Sequence, residues 1–380
     1  MNRKVFIFSI AILVVGIMAV SYFWFANRLK NSTSSNQREA ANQSTQIIQE
    51  GLNKESFSFG VQGDSHPERV GKMFSSELYK TTLQNVVKVN PAFYFLMGDD
   101  FSIEKLIENK GYTQQTVDEV YLNQKKYLDA LSMPKYLVNG NHEQEAKYLL
   151  DGTNSNPAIL ARNARAKFFD SPGSENGYYS FTYGNALFVA IDFYWNSNTV
   201  VDNTAGAKNS EDKKQRNLWN NTLGEVQYQW LKKTLESSGA KYKFVFTHHV
   251  LGTGRGGIEE AKLYEWGGYN QKGVWEFDKM RPGWEMPIHQ LMVKNGVTIF
   301  FQGHDHLFAK QELDGVIYQE VPNPADDTYT AFNQDAYKSG TTLPNSGFLD
   351  VAVSADQVKV DYIKSGQNNN GQSIYSYTVK

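Results

Sequence analysis

The chain has 380 residues, 38 Lys and Arg against 40 Asp and Glu, a formal net charge of −2, and no cysteine. That length suits one large domain or two small ones, and the missing cysteine excludes disulfides and thiolate ligands, so any metal must be held by nitrogen and oxygen. The near balance of charge, without blocks of like sign, gives no footprint for tight non-specific nucleic-acid binding.

Residues 5–26 form an apolar run, interrupted only by the hydroxyls of Ser9, Ser21 and Tyr22 and preceded by Arg3 and Lys4. At about 1.5 Å per residue, such a run can cross a hydrocarbon core of roughly 30 Å. Ala19-Val20-Ser21 would suit a cleaved signal peptide. Tyr22, Phe23, Trp24 and Phe25 instead prolong the run to Arg28 and Lys30, as an interfacial belt would, and favour a retained anchor over residues 1–30. The expectation is a cytoplasmic amino terminus and an exported, membrane-anchored remainder, secreted if the segment is cleaved. Residues 31–54, rich in Asn, Ser, Thr and Gln, read as a flexible linker, and 55–380 as the folded part.

From there short apolar strands alternate with amphipathic helices. The pattern predicts strands at 56–62, 92–97 and 135–139 with helices at 70–89 and 116–131 between them. Residues 178–183 and 186–193, separated by Gly184-Asn185, read as a hairpin. A helix at 223–237, a strand at 243–247, a helix at 287–295 and a strand at 297–301 follow, then strands at 347–353 and 357–363. No internal repeat is present. The alternation predicts an α/β domain of two sheets packed face to face with helices outside.

The polar residues sit at the ends of those strands. Gly63-Asp64-Ser65-His66, Gly98-Asp99-Asp100, Gly140-Asn141-His142-Glu143, His248-His249 and Gly303-His304-Asp305-His306 each follow one. Beyond the carboxyl ends of strands is where open α/β sheets bind ligands. Six of the seven histidines fall in these motifs, leaving only His289 outside. Any one motif alone reads equally as a turn or a helix cap; five in this placement point to a metal site. Imidazole and carboxylate without thiolate suit zinc, manganese or iron, and a carboxylate can bridge two such ions. A pair about 3.5 to 4 Å apart can grip a phosphate and lower the pKa of a shared water.

Over residues 57–306 this set resembles the calcineurin-like metallophosphoesterase superfamily, whose blocks run Asp-x-His, Gly-Asp, Gly-Asn-His-Asp/Glu, His and Gly-His-x-His. The stretch GEVQYQWLKKTLESS followed by KYKFVFTHH is similar to the branch of purple acid phosphatases and related secreted phosphoesterases. The resemblance implies a four-layer sandwich, two divalent metal ions, and hydrolysis of a phosphorylated small-molecule or envelope substrate by metal-bound hydroxide. It is read as a phosphomonoesterase, with a diesterase on an exported nucleotide or envelope diester as the alternative. By the same resemblance Asp64, His66 and His306 hold one metal, and Asn141, His248 and His304 the other. Asp99 bridges them, His142 is the acid that protonates the leaving oxygen or steadies the phosphate, and Glu143 orients it. Two departures stand out. Protein phosphatases carry a supporting acid where this chain has Ser102, leaving Asp100 as a substitute. Purple acid phosphatases have a metal-binding Tyr at that same place and no His in the first block, so Ser102 and His66 argue against an iron-tyrosinate enzyme.

Other residues carry weaker signals. His249 follows a ligand and, in strand geometry, points to the other face; it is a candidate for touching substrate or the metal shell. His289 reads as a satisfied, partly buried residue. The segment 251–284 holds several glycines, Arg255, Trp266, Tyr269 and Trp275 between two ligand-bearing strands, where loops commonly choose substrate. Arg255 is a candidate for pairing with a phosphate oxygen, and an aromatic there for stacking on a sugar or base. A surface loop packed on itself, a non-catalytic binding module on the same scaffold, and a structural envelope protein with incidental histidines are the rival readings. A proton donor beside the metals, His142, has no use in a mere binding protein.

Overall fold

Phenylalanine at alternate strand positions gives two sheets a shared interior. The computed structural model describes residues 54–102, 113–143, 157–169, 172, 177–193, 219, 221–250 and 254–380. In the first sheet β1 (Phe57–Gln62) lies between β2 (Tyr94–Leu96) and β11 (Gly347–Val353), in the order β13-β12-β11-β1-β2-β3, with β3 at Lys135–Leu137, β12 at Val358–Lys364 and β13 at Ser373–Val379. β1, β2 and β3 are parallel, and the β11, β12 and β13 side is antiparallel.

The second sheet runs β10-β8-β9-β7-β6-β5-β4. Its strands are β4 (Tyr179–Tyr183), β5 (Ala186–Ala190), β6 (Tyr242–Phe246), β7 (Ile299–Gln302), β8 (Phe308–Leu313), β9 (Val316–Glu320) and β10 (Thr341–Leu343). β5, β6, β7 and β9 are parallel, and hairpins add the antiparallel neighbours. Between the sheets Phe95 stacks on Phe246 at 4.0 Å and Phe246 on Phe301 at 5.0 Å, while Phe59 meets Phe244 at 5.2 Å. Each ring so buried contributes about 1.5–3 kcal/mol.

Helices cover the outer faces. α1 (Ser76–Val89), α2 (Gln114–Leu128) and α3 (Pro157–Phe168) set Leu83, Val86, Tyr121, Leu128, Ala161 and Ala164 against Leu96, Leu137 and Phe348. On the other side α4 (Gly224–Ser237) and α5 (Ile288–Lys294) pack Tyr228, Leu231, Leu235, Ile288 and Leu291 on Val189, Val245 and Phe300. Two mixed sheets flanked by helices are what the alternation predicted.

Some elements differ from expectation. α1 begins at Ser76 rather than near residue 70 because Ser75, in extended conformation, caps it by accepting the Leu78 amide at 3.3 Å, and Gly71 turns the chain before it at φ +75°. α3, the β8–β9 hairpin, β10 and β13 were not anticipated; β13 is an edge strand in which no residue is fully buried. The apolar run at 5–26 and the linker up to residue 53 lie outside the described residues. Among the described residues no helix is long and apolar enough to cross a membrane.

Candidate metal centre

The carboxyl ends of β1, β2, β3, β6 and β7 bring the five motifs to one place. Ligand atoms of Asp64, His66 and His306 lie within 4.8 Å of one another, as do those of Asp99, His248 and His304, and those of His66, Asp99 and His142. All are buried. Asp99 is the centre of the set: its Oδ2 faces Nε2 of His248 at 3.1 Å, of His66 at 3.6 Å and of His142 at 3.7 Å. Asn141 Oδ1 lies 3.1 Å from His248 Nε2.

The backbone holds these groups in place. Asp99 Oδ1 accepts the His142 amide at 2.9 Å, which turns Oδ2 toward the imidazoles; Asp64 Oδ2 accepts the His304 amide at 2.7 Å. His248 Nδ1 donates to the Met97 carbonyl at 2.8 Å, and His66 Nδ1 to Glu68 Oε1 at 2.9 Å, so each ring directs Nε2 inward. Outer partners of this kind fix ring orientation and raise ligand basicity. His66, Asp99, His304 and His306 all have φ between +48° and +78°, a costly backbone region for side-chain-bearing residues that clusters at functional sites. A Cβ on Gly98 would meet the Gly140 nitrogen at 2.4 Å, so glycine there lets the β2 and β3 turns touch.

Electrostatics suit a cation. Burial pushes His66, His304 and His306 well below the usual histidine range, leaving neutral rings with a lone pair to give. His248 goes the other way: burial would lower it, but the Asp99 and Asp64 carboxylates outweigh that and push it up to about 10. Burial, with the Asp99 charge adding, raises Asp64 to about 7. A cluster that must otherwise hold protons among its carboxylates and imidazoles would exchange them for a divalent ion bound there. Asp64 Oδ1, His66 Nε2 and His306 Nδ1 are buried without a hydrogen-bond partner, and the thiol-free donor set fits borderline metals.

The remaining candidates are held by contacts of their own. Glu143 does not orient His142: its Oε2 accepts the amides of Asp99 and Gly140 at 3.0 and 2.7 Å, and its Oε1 those of Asp100 and Phe101, both at 2.9 Å. Asp100 directs its Oδ1 away to Ser65 at 2.5 Å and Gln62 at 3.0 Å, from which it accepts. Arg255, expected at a phosphate oxygen, donates Nη1 to the His304 carbonyl and to Asp305 Oδ1 at 3.0 and 2.9 Å, bracing the loop that carries two ligand candidates. His249 is buried face to face with His304 at 4.2 Å, so it touches a ligand candidate. His289 lies outside the site, between Tyr318 and Asp314. Trp266 and Trp284 of the presumed recognition segment are buried in the core of the second sheet, and Tyr269 and Trp275 remain partly exposed against each other.

Glu68 and Arg69 were missed. The turn from His66 closes with the Arg69 amide on the His66 carbonyl at 2.9 Å. It carries Arg69 Nη2 to 2.9 Å from His142 Nε2 and Arg69 Nε to 3.3 Å from Glu68 Oε1. Their only sequence signal is two charges directly after the first motif.

Residues 57–308 match the family model for calcineurin-like phosphoesterases, and the chain belongs to that family of phosphoric ester hydrolases. Among solved structures it is similar to purple acid phosphatase PPD1 from yellow lupin (Lupinus luteus) seeds, with a TM-score of 0.55 and 17% identity over 86% of this chain and 54% of that one. It is likewise similar to PhoD, at 0.55 and 16% over 87% of this chain and 69% of that one. A dimetal phosphatase from Danio rerio gives 0.51 and 14% over 85% and 98%. The chain thus spans little more than half the length of the lupin enzyme, and at these identities the likeness establishes the fold. Comparison with curated protein sequences gave no significant match.

Proposed function

We propose that the chain hydrolyses phosphomonoesters at two divalent cations, manganese, zinc or iron. The observation that carries this is the Asp99 carboxylate facing three imidazole nitrogens, with Asp64, His66 and His306 gathered on one side and His248, His304 and Asn141 on the other. Bound there, two ions would supply Lewis acidity and an activated water. Asp64, His66 and His306 would hold one, Asn141, His248 and His304 the second, and Asp99 both.

His142 supplies the proton for the departing oxygen, its Nε2 facing the same cleft. That nitrogen accepts from Arg69, since a guanidinium only donates. The guanidinium must therefore move off, and Nε2 take up a proton from solvent, before His142 can act as an acid. The monoester preference is supported by likeness to phosphatases in fold and motif. Export and tethering through residues 5–26 rest on that apolar run alone; protease added to intact cells should trim the domain, and complete protection would reverse the orientation.

The test is His142→Ala, measured with good and poor leaving groups. It should keep its metals and lose roughly 10²-fold or more in turnover on an alkyl phosphate, the usual contribution of a positioned acid. The loss should shrink on nitrophenyl phosphate, whose leaving oxygen departs without help. Equal losses would assign His142 to phosphate positioning, and full activity on both would remove it from the mechanism.

A further inference from the structure

Arg69 is a charged side chain that the mechanism above displaces but does not use. Its backbone is fixed by its own amide on His66 and by its carbonyl accepting the amides of Lys72 and Met73 at 3.0 and 3.1 Å. Its guanidinium reaches Met73 Sδ at 3.3 Å, Glu68 at 3.3 Å and His142 at 2.9 Å. The side chain is 25% exposed, against at most 6% for His66, Asp99, His142 and His306. A cation thus stands at the mouth of a buried cluster whose other groups are imidazoles and carboxylates.

The chemistry of the two ester classes gives it work. A phosphomonoester is a dianion with three terminal oxygens, whereas a diester has two and a single charge. Two ions held at Asp99 would supply Lewis acidity for two terminal oxygens. The third, present only in a monoester, needs a donor, and the planar guanidinium fork is well suited to phosphate. Arg255, the other guanidinium beside the described site, is engaged with Asp305 and the His304 carbonyl.

We propose that Arg69 is a specificity-determining residue, whose guanidinium leaves His142 on substrate binding to take the third terminal oxygen of a phosphomonoester. The same movement frees His142 Nε2 to take up from solvent the proton it passes to the leaving group, coupling recognition of a dianion to charging of the acid. This rests on the phosphoesterase reading above.

The experiment compares metal-loaded wild type, Arg69→Gln and Arg69→Lys by three readouts: calorimetric affinity for inorganic phosphate, kcat/KM on nitrophenyl phosphate, and kcat/KM on bis-nitrophenyl phosphate. Arg69→Gln should keep its ions and melting temperature while phosphate affinity and the monoester kcat/KM fall roughly 10- to 100-fold, the worth of a hydrogen bond to a charged group. The diester value should change by less than about threefold, with Arg69→Lys intermediate. Equal losses on both esters, or phosphate affinity unchanged in Arg69→Gln while the wild type is active, would overturn the assignment of Arg69 alone. A wild type that holds two ions yet neither binds phosphate nor hydrolyses either ester would overturn the underlying reading and Arg69 with it.

Discussion

Substituting Glu143 by Gln or Ala separates a residue that builds the site from one that serves His142. Each carboxylate oxygen of this buried side chain accepts two backbone amides, tying the turn after β2 to the turn after β3. A carboxamide keeps one oxygen and presents its amino group to the other two N–H donors, so Glu143→Gln strands two buried amides. At roughly 1–3 kcal/mol for each unsatisfied group, the loss is about 2–6 kcal/mol. Alanine strands four, about 4–12 kcal/mol if all stay unpaired, but water entering the space it opens brings that down toward the glutamine figure. Against a typical stability of about 5–15 kcal/mol, either change is severe, and glutamine should be little better than alanine. Urea denaturation of the metal-free proteins measures this without the contribution of ion binding. A Glu143→Gln protein within about 0.5 kcal/mol of wild type, with turnover lost in proportion to leaving-group basicity, would refute the reasoning and return Glu143 to His142.

Asp99→Ala should lose both ions from most molecules, since each forfeits a ligand and the repulsion between cations goes unscreened; elemental analysis finding two ions per chain in the variant would contradict the bridge. Asp350 on β11 pairs across the ladder with Asp361 on β12, and burial, with the Asp361 charge adding, pushes its carboxyl up to about 6. A folded pKa above the unfolded value near 3.9 means that its stabilising contribution is complete below about pH 4 and is lost as pH rises through about 6. Asp350→Asn should therefore gain nothing near pH 4 and about 1–2 kcal/mol near pH 8, after allowance for partial exposure. An equal gain at both pH values in denaturant titrations would contradict the ionisation.

The ligand candidates were legible because a strand-end position is both a local sequence pattern and a shared location in space: Asp64, Asp99, Asn141, His248 and His304 each follow an apolar run. The inner strands were legible for a similar reason, since they are short apolar runs between amphipathic helices. Arg69 was not, because its contact with His142 spans 73 residues of sequence and depends on how one turn closes. Glu143 looked like a helper of its neighbour because adjacency is all the sequence offers, while its partners are amides on two different turns. Arg255 reads from the sequence as a free cation in a glycine-rich loop; only the fold shows Asp305 waiting for it.

Counting ions against turnover tests the metal-dependent reaction most directly. The protein is stripped with chelator and then titrated with manganese or zinc, while elemental content and hydrolysis of nitrophenyl phosphate are followed together. The dinuclear centre predicts no hydrolysis in the stripped protein, with activity rising to a plateau as the second ion per chain is bound. Hydrolysis that survives complete removal of metal, or a plateau at one ion per chain, would contradict it.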